Sequence, residues 1–129
     1  MGVELVRGVK LSDVAEYAYA SAVRGVVFTA GACPLDEEGR TVAVGDYVGQ
    51  ARQVMANLEV ALRAAGSSLD GVAKTTVYVR SSEQADLVAV WKVVRAAFGG
   101  HDAPSTLLGV AALGYDDQLV EVEAVAVRH

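Results

Sequence analysis

Two stretches of the chain carry apolar residues at helical spacing. The first follows Asp46, a side chain suited to a helix N-cap, and continues to about Ala65, where Gly66 ends it. Its apolar stripe consists of Ala51, Val54, Met55, Leu58, Leu62 and Ala65. Because these positions recur every three or four residues, they predict an amphipathic helix with one buried side.

The second helical stretch lies between about Glu83 and Phe98. Ser81 and Gln84 are spaced as a capping box, and Gly99–Gly100 stops the helix. Its stripe consists of Leu87, Val90, Trp91, Val94 and Phe98, which we interpret as core residues.

The remaining apolar segments are short, rich in β-branched residues and bounded by turn residues, which is typical of strands. The predicted strands are Val3–Val9, Tyr17–Val23, Val26–Thr29, Val72–Val79, Ser105–Val110 and Leu119–Val127. The second and third are predicted to pair as a hairpin through Arg24–Gly25, and the last two are predicted to form a hairpin joined by a turn. Leu11–Tyr17 is predicted as a loop, and Gly31–Pro34 is predicted to break the sheet.

The last predicted strand has two different faces. Val120, Val122, Ala124 and Ala126 form an apolar side, whereas Glu121 and Glu123 lie on the other, about 7 Å apart, because strand side chains alternate. The acidic face therefore needs a polar partner. Two helices separated by a strand on a β framework predict an α+β fold, with one helix layer on one face of a sheet. An oligomer interface is the simplest cover for the opposite face.

Composition limits the class of protein. The 129 residues predict one domain spanning 1–129, and 53% hydrophobic residues favour apolar surface buried between subunits. The net charge of −5 argues against a nucleic-acid partner. The single cysteine, Cys33, is consistent with a reducing cytoplasmic location. We expect no membrane span and no signal peptide, because no sufficiently long apolar run is present.

Several segments resemble the Rid family, also called the YjgF/YER057c/UK114 family, over essentially the whole chain. TAGACP (Thr29–Pro34) is similar to the family's T/S-G-Q-x-P segment. The most specific match is QARQVMANLEVALRAAGSSLDGVAKTTVYV (Gln50–Val79), which resembles the first helix and the strand after it. LLGVAAL (Leu107–Leu113) and VEVEAVAV (Val120–Val127) resemble the closing strands.

This resemblance implies a chorismate-mutase-like fold, with a mixed β-sheet, two helices on one face and a homotrimer built around a central β-barrel. It also implies a small-molecule ligand bound in a cleft between subunits, with no metal and no cofactor. The best characterised members are enamine/imine deaminases, which hydrolyse 2-aminoacrylate-type intermediates to a 2-keto acid and ammonia.

The resemblance also assigns site residues. The catalytic glutamate of the family falls on Glu121, and the ligand-binding positions fall on Tyr17, Gly31, Ala32, Cys33, Ser105 and Leu107. Ser105 departs from the family pattern, since an arginine that grips the substrate carboxylate is expected there. Ala32 replaces the usual glutamine. A charge-assisted hydrogen bond contributes about 1.5–3 kcal/mol to binding, so we expect affinity for a 2-imino acid to fall by a factor of at least about ten to a hundred. Arg24, Lys74, His101 and Arg128 are candidate substitute cations.

Each candidate also has a structural interpretation. Glu121 is interpreted as a base or an interface hydrogen-bonding group, whereas Glu123 is assigned to a structural partner. Tyr17 either caps the ligand or packs at an interface, and Ser105 either lines the cleft or bonds the backbone. Cys33 is either a ligand-facing thiol or a small buried hydrophobe. His101 and His129 are predicted as loop and tail residues, and neither belongs to a metal site.

Three functions follow from these residues. The first is a hydrolase of an enamine, imine or related metabolite, in which Glu121 activates water and the backbone near Gly31 polarises the electrophile. The second is a non-catalytic trimer that binds a metabolite, which the missing arginine favours over ordinary 2-imino-acid deamination. The third is an endoribonuclease activity of the L-PSP type, which the acidic composition disfavours.

Overall fold

The computed structural model describes residues 2–8, 10–14 and 16–129. These residues contain two α-helices and a six-stranded mixed sheet, which confirms the predicted α+β class. The strands are β1 (Glu4–Val6), β2 (Ala20–Val23), β3 (Val26–Thr29), β4 (Val72–Val79), β5 (Ser105–Gly109) and β6 (Val120–Val127). The helices are α1 (Tyr47–Ala64) and α2 (Gln84–Phe98). A short 3₁₀ turn, Leu69–Gly71, leads into β4.

Helix α1 begins and ends as its sequence predicts. The Asp46 carboxylate accepts a hydrogen bond from the Gly49 N–H at 2.9 Å, which satisfies one of the free donors of the first turn. At the other end Gly66 has a φ of +85°, and the N–H groups of Gly66 and Ser67 bond back to Arg63 and Leu62. This pair of bonds is a Schellman motif, which glycine allows because it adopts positive φ without strain.

The start of α2 differs from the prediction. Glu83 is the N-cap residue and its side chain makes no capping bond, so the prediction of a capping box formed by Ser81 and Gln84 is wrong. The Ser81 hydroxyl instead accepts from the Glu83 N–H at 2.9 Å and donates to Asp86 at 2.7 Å. A hydroxyl two residues before the N-cap thus orders this turn from outside the helix. Gly99, with a φ of +63°, ends α2 as expected.

The sheet has the order β1-β2-β3-β6-β4-β5. Strands β2 and β3 form the predicted hairpin, whose two turn residues, Arg24 and Gly25, both have positive φ as a type I′ turn requires. β2 is shorter than predicted, because Tyr17 lies outside it. The first strand is also shorter than the predicted Val3–Val9, whose last residue lies outside the described residues.

The predicted pairing of the last two strands is wrong. β5 pairs in parallel with β4, and β6 lies between β3 and β4, so β5 and β6 are not neighbours. β4, α2 and β5 form a β-α-β unit, which brings two parallel strands together through a helical crossover. Residues 110–119, which lead to β6, are longer than the usual two to five residues of a hairpin loop.

The helices and the apolar side of the sheet enclose one core. All six stripe positions of α1 are buried, and those of α2 are buried or packed against the core. The predicted apolar face of β6 is almost fully buried as well. Burial of each valine, leucine or methionine side chain in this core stabilises the fold by about 1.5–3 kcal/mol.

The opposite side of the sheet is uncovered in the single chain. Glu121 and Glu123 lie on it, as the alternation predicts, together with apolar residues that remain exposed. Phe28 is 45% exposed, Leu108 is 42% exposed and Val127 is 50% exposed. We call this side, formed by Phe28, Leu108, Glu121, Glu123 and Val127, the open face.

Candidate functional site

Glu121 is held by two side chains from outside its own strand. Its Oε1 accepts a hydrogen bond from Gln118 Nε2 at 3.1 Å, and Cys33 Sγ donates to the same oxygen at 3.4 Å. Glu121 is half-buried, so this carboxylate has a fixed position yet remains open to a ligand. Glu121 and Cys33, two of the candidate site residues, are therefore in contact within one chain.

A β-bulge brings the Gly31 segment against Glu121. β3 pairs with β6 up to Phe28 and Val125, but the next bridge joins Ala32 to Val122, which leaves one extra residue on the β3 side. The Thr29 hydroxyl fills the interrupted ladder by accepting from the Ala124 N–H at 2.9 Å. β3 ends at Thr29, as the predicted break at Gly31–Pro34 implies, and beyond the bulge only the single bridge of Ala32 with Val122 continues the pairing.

Gly31 allows the Glu121 carboxyl group to approach this segment closely. A Cβ on this residue would overlap the carboxyl group of Glu121. The backbone conformation of Gly31 would allow other residues, because its φ is not in the left-handed region. Ala32 exchanges two backbone hydrogen bonds with Val122, at 2.7 and 3.2 Å, so its backbone is used in the sheet.

Gln118 is fully buried and was not identified from the sequence. Its Nε2 donates to the Val120 carbonyl as well as to Glu121, each at 3.1 Å, and its Oε1 accepts from the Tyr115 N–H. A second buried amide, Gln50, accepts from the Leu119 N–H at 2.8 Å and donates to the Asp117 carbonyl. Gln50 precedes Val54 by four residues and so lies on the apolar stripe. A polar residue at such a position could have indicated from the sequence that its side chain is buried and hydrogen-bonded.

A small cavity of about 30 Å³ lies beside this cluster, with room for about one water molecule. Tyr17 and Tyr115 stand at its wall with their hydroxyl oxygens 3.1 Å apart, and the Tyr19 ring meets Tyr17 edge-on at 6.3 Å. The remaining lining residues are Leu11, Ser12, Ala30, Gly31, Ala32, Cys33, Leu35, Asn57 and Ala61. None of these described side chains carries a formal charge.

The thiol and the phenol of this site are protonated donors at neutral pH. Burial, followed by the negative charge of Glu121, raises the pKa of Cys33 to about 12. Burial and the hydrogen bond with Tyr115 raise the pKa of Tyr17 well above its ordinary value. Because a thiolate is the nucleophilic form of cysteine, Cys33 is suited to hydrogen bonding and not to nucleophilic attack.

Asn57 connects the cavity to helix α1. Its Nδ2 donates to the carbonyls of Cys33 and Leu35, at 2.8 and 2.9 Å. The Cys33 segment is therefore fixed by side-chain bonds from α1 and by backbone bonds from β6. Asn57 is not one of the apolar stripe positions of this helix, and its role in positioning this segment was not predicted.

A second cavity of about 200 Å³ adjoins the first and shares Tyr17 and Tyr19 with it. Arg7 and Asp13 also line it, one charge of each sign. Backbone pairing between Val6 and Tyr19 places Arg7 at this rim. Arg7 was not among the candidate cations.

Ser105 and Leu107 are not brought to Glu121 within the chain. They lie on edge strand β5 opposite Thr75 and Val77, on the buried side of the sheet, and β4 separates them from β6. The Ser105 hydroxyl bonds to the Thr75 hydroxyl and donates to the Ala103 carbonyl at 3.1 Å, while Leu107 packs against the core. These contacts agree with the structural interpretation of Ser105.

Glu123 has a structural partner, as assigned. The Tyr78 hydroxyl donates to its Oε1 at 2.5 Å, and this bond, with burial, raises the pKa of Tyr78 to about 12. Tyr78 faces Glu121 directly across the β4–β6 ladder, so its bond to Glu123 is diagonal. The two acids of β6 therefore have different surroundings.

The candidate substitute cations are engaged elsewhere. Lys74 donates to the Thr106 hydroxyl at 2.8 Å, and Arg128 donates to the Ala65 carbonyl and pairs with Glu4. His101 Nε2 lies 2.7 Å from the Val72 carbonyl oxygen. Arg24 occupies the hairpin turn. The remaining histidine, His129, bonds to Ser68.

Among the residues that the structure describes, no helix has the length and apolar character needed to cross a membrane.

Comparison with known proteins identifies the family. The protein-family model described as endoribonuclease L-PSP matches residues 8–128 of this chain. The chain is 35% identical over 106 residues to a 2-iminobutanoate/2-iminopropanoate deaminase of Salmonella typhimurium, covering 80% of each chain. It is 31% identical over 113 residues to the 3-aminoacrylate deaminase RutC of Acinetobacter baylyi, covering 88% of this chain and 87% of the relative.

The fold comparison agrees with the sequence comparison. A crystal structure of a putative endoribonuclease L-PSP from Entamoeba histolytica superposes with a TM-score of 0.86 at 31% identity, covering 98% of this chain and 99% of that one. The chain therefore belongs to the Rid family, which the endoribonuclease L-PSP model also describes.

Proposed function

We propose that this protein hydrolyses a small imine or enamine in a cleft between the subunits of a homotrimer, with Glu121 as the general base. The observation that carries this proposal is the position of the Glu121 carboxylate. It is fixed by Gln118 and Cys33 beside a cavity walled by Tyr17 and Tyr115. A base must be held within reach of the water that it deprotonates, and these contacts provide such positioning.

The proposed reaction needs no redox partner. Glu121 takes a proton from water as the water oxygen bonds to the imine carbon, and the electron pair of the C=N bond moves to nitrogen. Nitrogen takes this proton back from Glu121, which gives the neutral carbinolamine. Glu121 then takes the proton of the hydroxyl group and delivers it to nitrogen as the C=O bond forms, the C–N bond breaks and ammonia leaves. An enamine first gains a proton at carbon and loses one from nitrogen, which gives the imine, and then follows the same route. The products are a carbonyl compound and ammonia.

The open face supports assembly of several chains. It carries exposed apolar side chains beside two half-buried acids, a combination that a second subunit would cover. In the proposed homotrimer, β5 of one subunit brings Ser105 and Leu107 towards the cavity beside Glu121 of the next subunit. This arrangement would unite the site residues that one chain keeps apart.

The two deaminases described above are relatives of this chain, which supports the reaction class. This chain has Ser105 where the family resemblance implies an arginine, and the cavity side chains of the described residues are uncharged. We therefore propose that ordinary 2-imino acids are poor substrates. The same feature favours a second candidate, a trimer that binds a metabolite without turnover. An endoribonuclease role finds less support, because the chain has a net charge of −5.

The test is hydrolysis of imines generated in the cuvette. An amino-acid oxidase or a dehydratase would supply 2-imino acids and a flavin amine oxidase would supply imines without a carboxylate. Semicarbazide would trap whatever escapes the protein. We expect the protein to accelerate release of the carbonyl product from at least one imine class, and Glu121→Gln to remove at least about nine-tenths of that acceleration, since a positioned base contributes about 10²–10⁴-fold.

Glu123→Gln is the matched control, because Glu123 lies on the same strand and face but bonds to Tyr78. We expect this variant to keep most of the activity. Equal losses in both variants would contradict a catalytic role for Glu121. Binding without acceleration of any imine would favour the metabolite-binding candidate, and RNA cleavage that persists in Glu121→Ala after repurification would favour the endoribonuclease.

A further inference from the structure

We propose that the ligand of this site is a small organic cation without a carboxylate, namely the protonated imine of a short-chain aldehyde or ketone. This inference rests on the proposed function and specifies its substrate class. It follows from the charges around the cavity, from its aromatic wall and from the surroundings of Ser105.

The charge next to the cavity is negative. The described side chains that line it are uncharged, and the nearest formal charge for which the structure gives a contact is Glu121, bonded to Cys33 at 3.4 Å. A ligand carboxylate here would meet a like charge in a partly buried place, whereas a protonated imine would meet an opposite charge. The electrostatics therefore favour the cation and disfavour the 2-imino acid anion.

The wall of the cavity is suited to the same ligand. Tyr17, Tyr19 and Tyr115 line it, and the hydroxyl oxygens of Tyr17 and Tyr115 lie 3.1 Å apart. Aromatic faces attract organic cations through their quadrupole, and phenol oxygens accept hydrogen bonds from N–H donors. The cavity itself has room for about one water molecule, so the alkyl group of the ligand would extend into the adjoining cavity of about 200 Å³, which shares Leu11, Tyr17 and Tyr19 with it.

Ser105 does not offer a substitute anchor for an anion. Its hydroxyl already bonds to Thr75 and to the Ala103 carbonyl, and both contacts lie on the buried side of β5. Lys74 is a cation on the adjacent strand β4. It donates to Thr106 on the other side of the sheet. Even where β5 of a neighbouring subunit completes the cleft, this strand contributes a neutral side chain.

Arg7 is the competing anion anchor, since it lines the adjoining cavity with Tyr17 and Tyr19. Asp13 lines the same cavity and offsets that charge. Arg7 is also exposed, so its attraction for an anion is weakened by solvent. The experiment must nevertheless separate Arg7 from Glu121.

A matched pair of precursors differs only in the carboxylate. Butylamine with a flavin amine oxidase gives the imine of butanal, and norvaline with an amino-acid oxidase gives 2-iminopentanoate. We expect the protein to accelerate hydrolysis of the first imine at least about tenfold more than hydrolysis of the second, since one unfavourable charge contact of about 1.4 kcal/mol is a factor of ten. Equal or reversed acceleration would overturn the proposal.

Binding of unreactive analogues separates this inference from the proposed function. Calorimetry with butylammonium and with butyrate should show binding of the cation at least about tenfold tighter than that of the anion. Glu121→Gln should abolish this preference while its melting temperature stays close to that of the wild type. Cation binding without imine hydrolysis would contradict the proposed function and leave this inference standing. Absence of cation binding, or tighter butyrate binding, would overturn it.

Two further variants complete the test. Arg7→Gln should leave butylammonium binding unchanged, and loss of 2-iminopentanoate hydrolysis in this variant would identify Arg7 as an anion anchor and overturn the proposal. Ser105→Arg should increase butyrate affinity by about tenfold or more, because it adds a charged bidentate donor to the cleft. No gain in butyrate affinity would contradict the placement of Ser105 in the cleft on which the inference depends.

Discussion

Gln118 Nε2 lies 3.1 Å from Glu121 Oε1, and this bond joins a fully buried amide to the half-buried carboxylate of the candidate site. The same amide group bonds to the Val120 carbonyl and to the Tyr115 N–H. One side chain thus fixes the loop that carries Tyr115, the start of β6 and the proposed base. Gln118 is therefore a positioning residue in the proposed mechanism.

Replacing Gln118 by Met keeps its volume but removes both the donor and the acceptor. We expect kcat to fall by about tenfold or more with a smaller change in KM, because the base loses its orientation while the cavity wall remains. The free energy of unfolding should fall by about 1–3 kcal/mol, since buried backbone groups lose their partners. Steady-state kinetics and urea unfolding measure the two effects.

Gln50→Met provides the control for Gln118. Gln50 is also fully buried and bonds to backbone groups of the same loop, but it does not contact Glu121. A similar loss of stability with a smaller loss of kcat is expected. If both variants lowered kcat equally, the role of Gln118 would be purely structural.

Substituting Gly31 by Ala places a methyl group in the space of the Glu121 carboxyl group. The carboxylate must move, so we expect the hydrolytic rate to fall by about tenfold or more, since a displacement of about 1 Å is sufficient for such losses. Gly100→Ala is the control, because a Cβ there meets no atom within 4 Å. Unchanged activity in Gly31→Ala would contradict the proposed position of the base.

The thiol of Cys33 predicts how stability depends on pH. Its pKa is raised to about 12 in the fold from an ordinary 9.0, so the folded chain retains a proton that the unfolded chain loses between these values. The stabilisation associated with the neutral thiol is fully present below about pH 9 and decreases as the pH rises towards 12.

Urea unfolding of the wild type and of Cys33→Ala at pH 8 and pH 10.5 tests this dependence. Tyr17 and Tyr78 also have raised pKa values, so both proteins should lose stability at the higher pH. The wild type should lose more, and the difference isolates Cys33. Equal losses would show that the thiol ionises as readily in the fold as in the unfolded chain.

Phe28→Glu should disrupt the proposed homotrimer. Phe28 is exposed on the open face, so a charge there costs the single chain little but would be buried unpaired in an assembly. Light scattering after size exclusion should show a trimer for the wild type and a smaller species for this variant, for a chain of 13.4 kDa. A monomeric wild type would contradict the proposed assembly.

Val88→Glu is the matched control for Phe28. Val88 has similar exposure but lies on helix α2, away from the open face. The Val88→Glu variant should have the same mass in solution as the wild type. A change of assembly in Val88→Glu would place the interface on the helical layer.

The features that could be predicted from the sequence depend on short-range interactions, whereas those that could not depend on long-range ones. Helix α1 could be predicted because its N-cap at Asp46, its stripe and its end at Gly66 are all local in sequence. The core face of β6 was equally evident, since alternation is a property of neighbouring residues. The two-residue turn Arg24–Gly25 was also recognisable, although the start of β2 was placed three residues too early.

The pairing of β5 could not be inferred from the strand itself. Its apolar residues fit a hairpin with β6 as well as a parallel pair with β4, and the choice depends on where α2 returns the chain. The contacts of Glu121 could not be inferred either, because the residues that lie against it depend on the bulge that follows Phe28. Gln118 gave no periodic signal, and only the fold shows which groups it bonds.

The sequence by itself determined the helices, most strand positions, the two-sided character of β6 and the family resemblance, all of which depend on residues close together in the chain. The tertiary structure alone decided the sheet order, the contact of Glu121 with Cys33 and Gln118, and the separation of Ser105 from that cluster. The physical reason is that hydrogen bonding between strands is set by long-range packing, and local patterns do not specify which strands become neighbours.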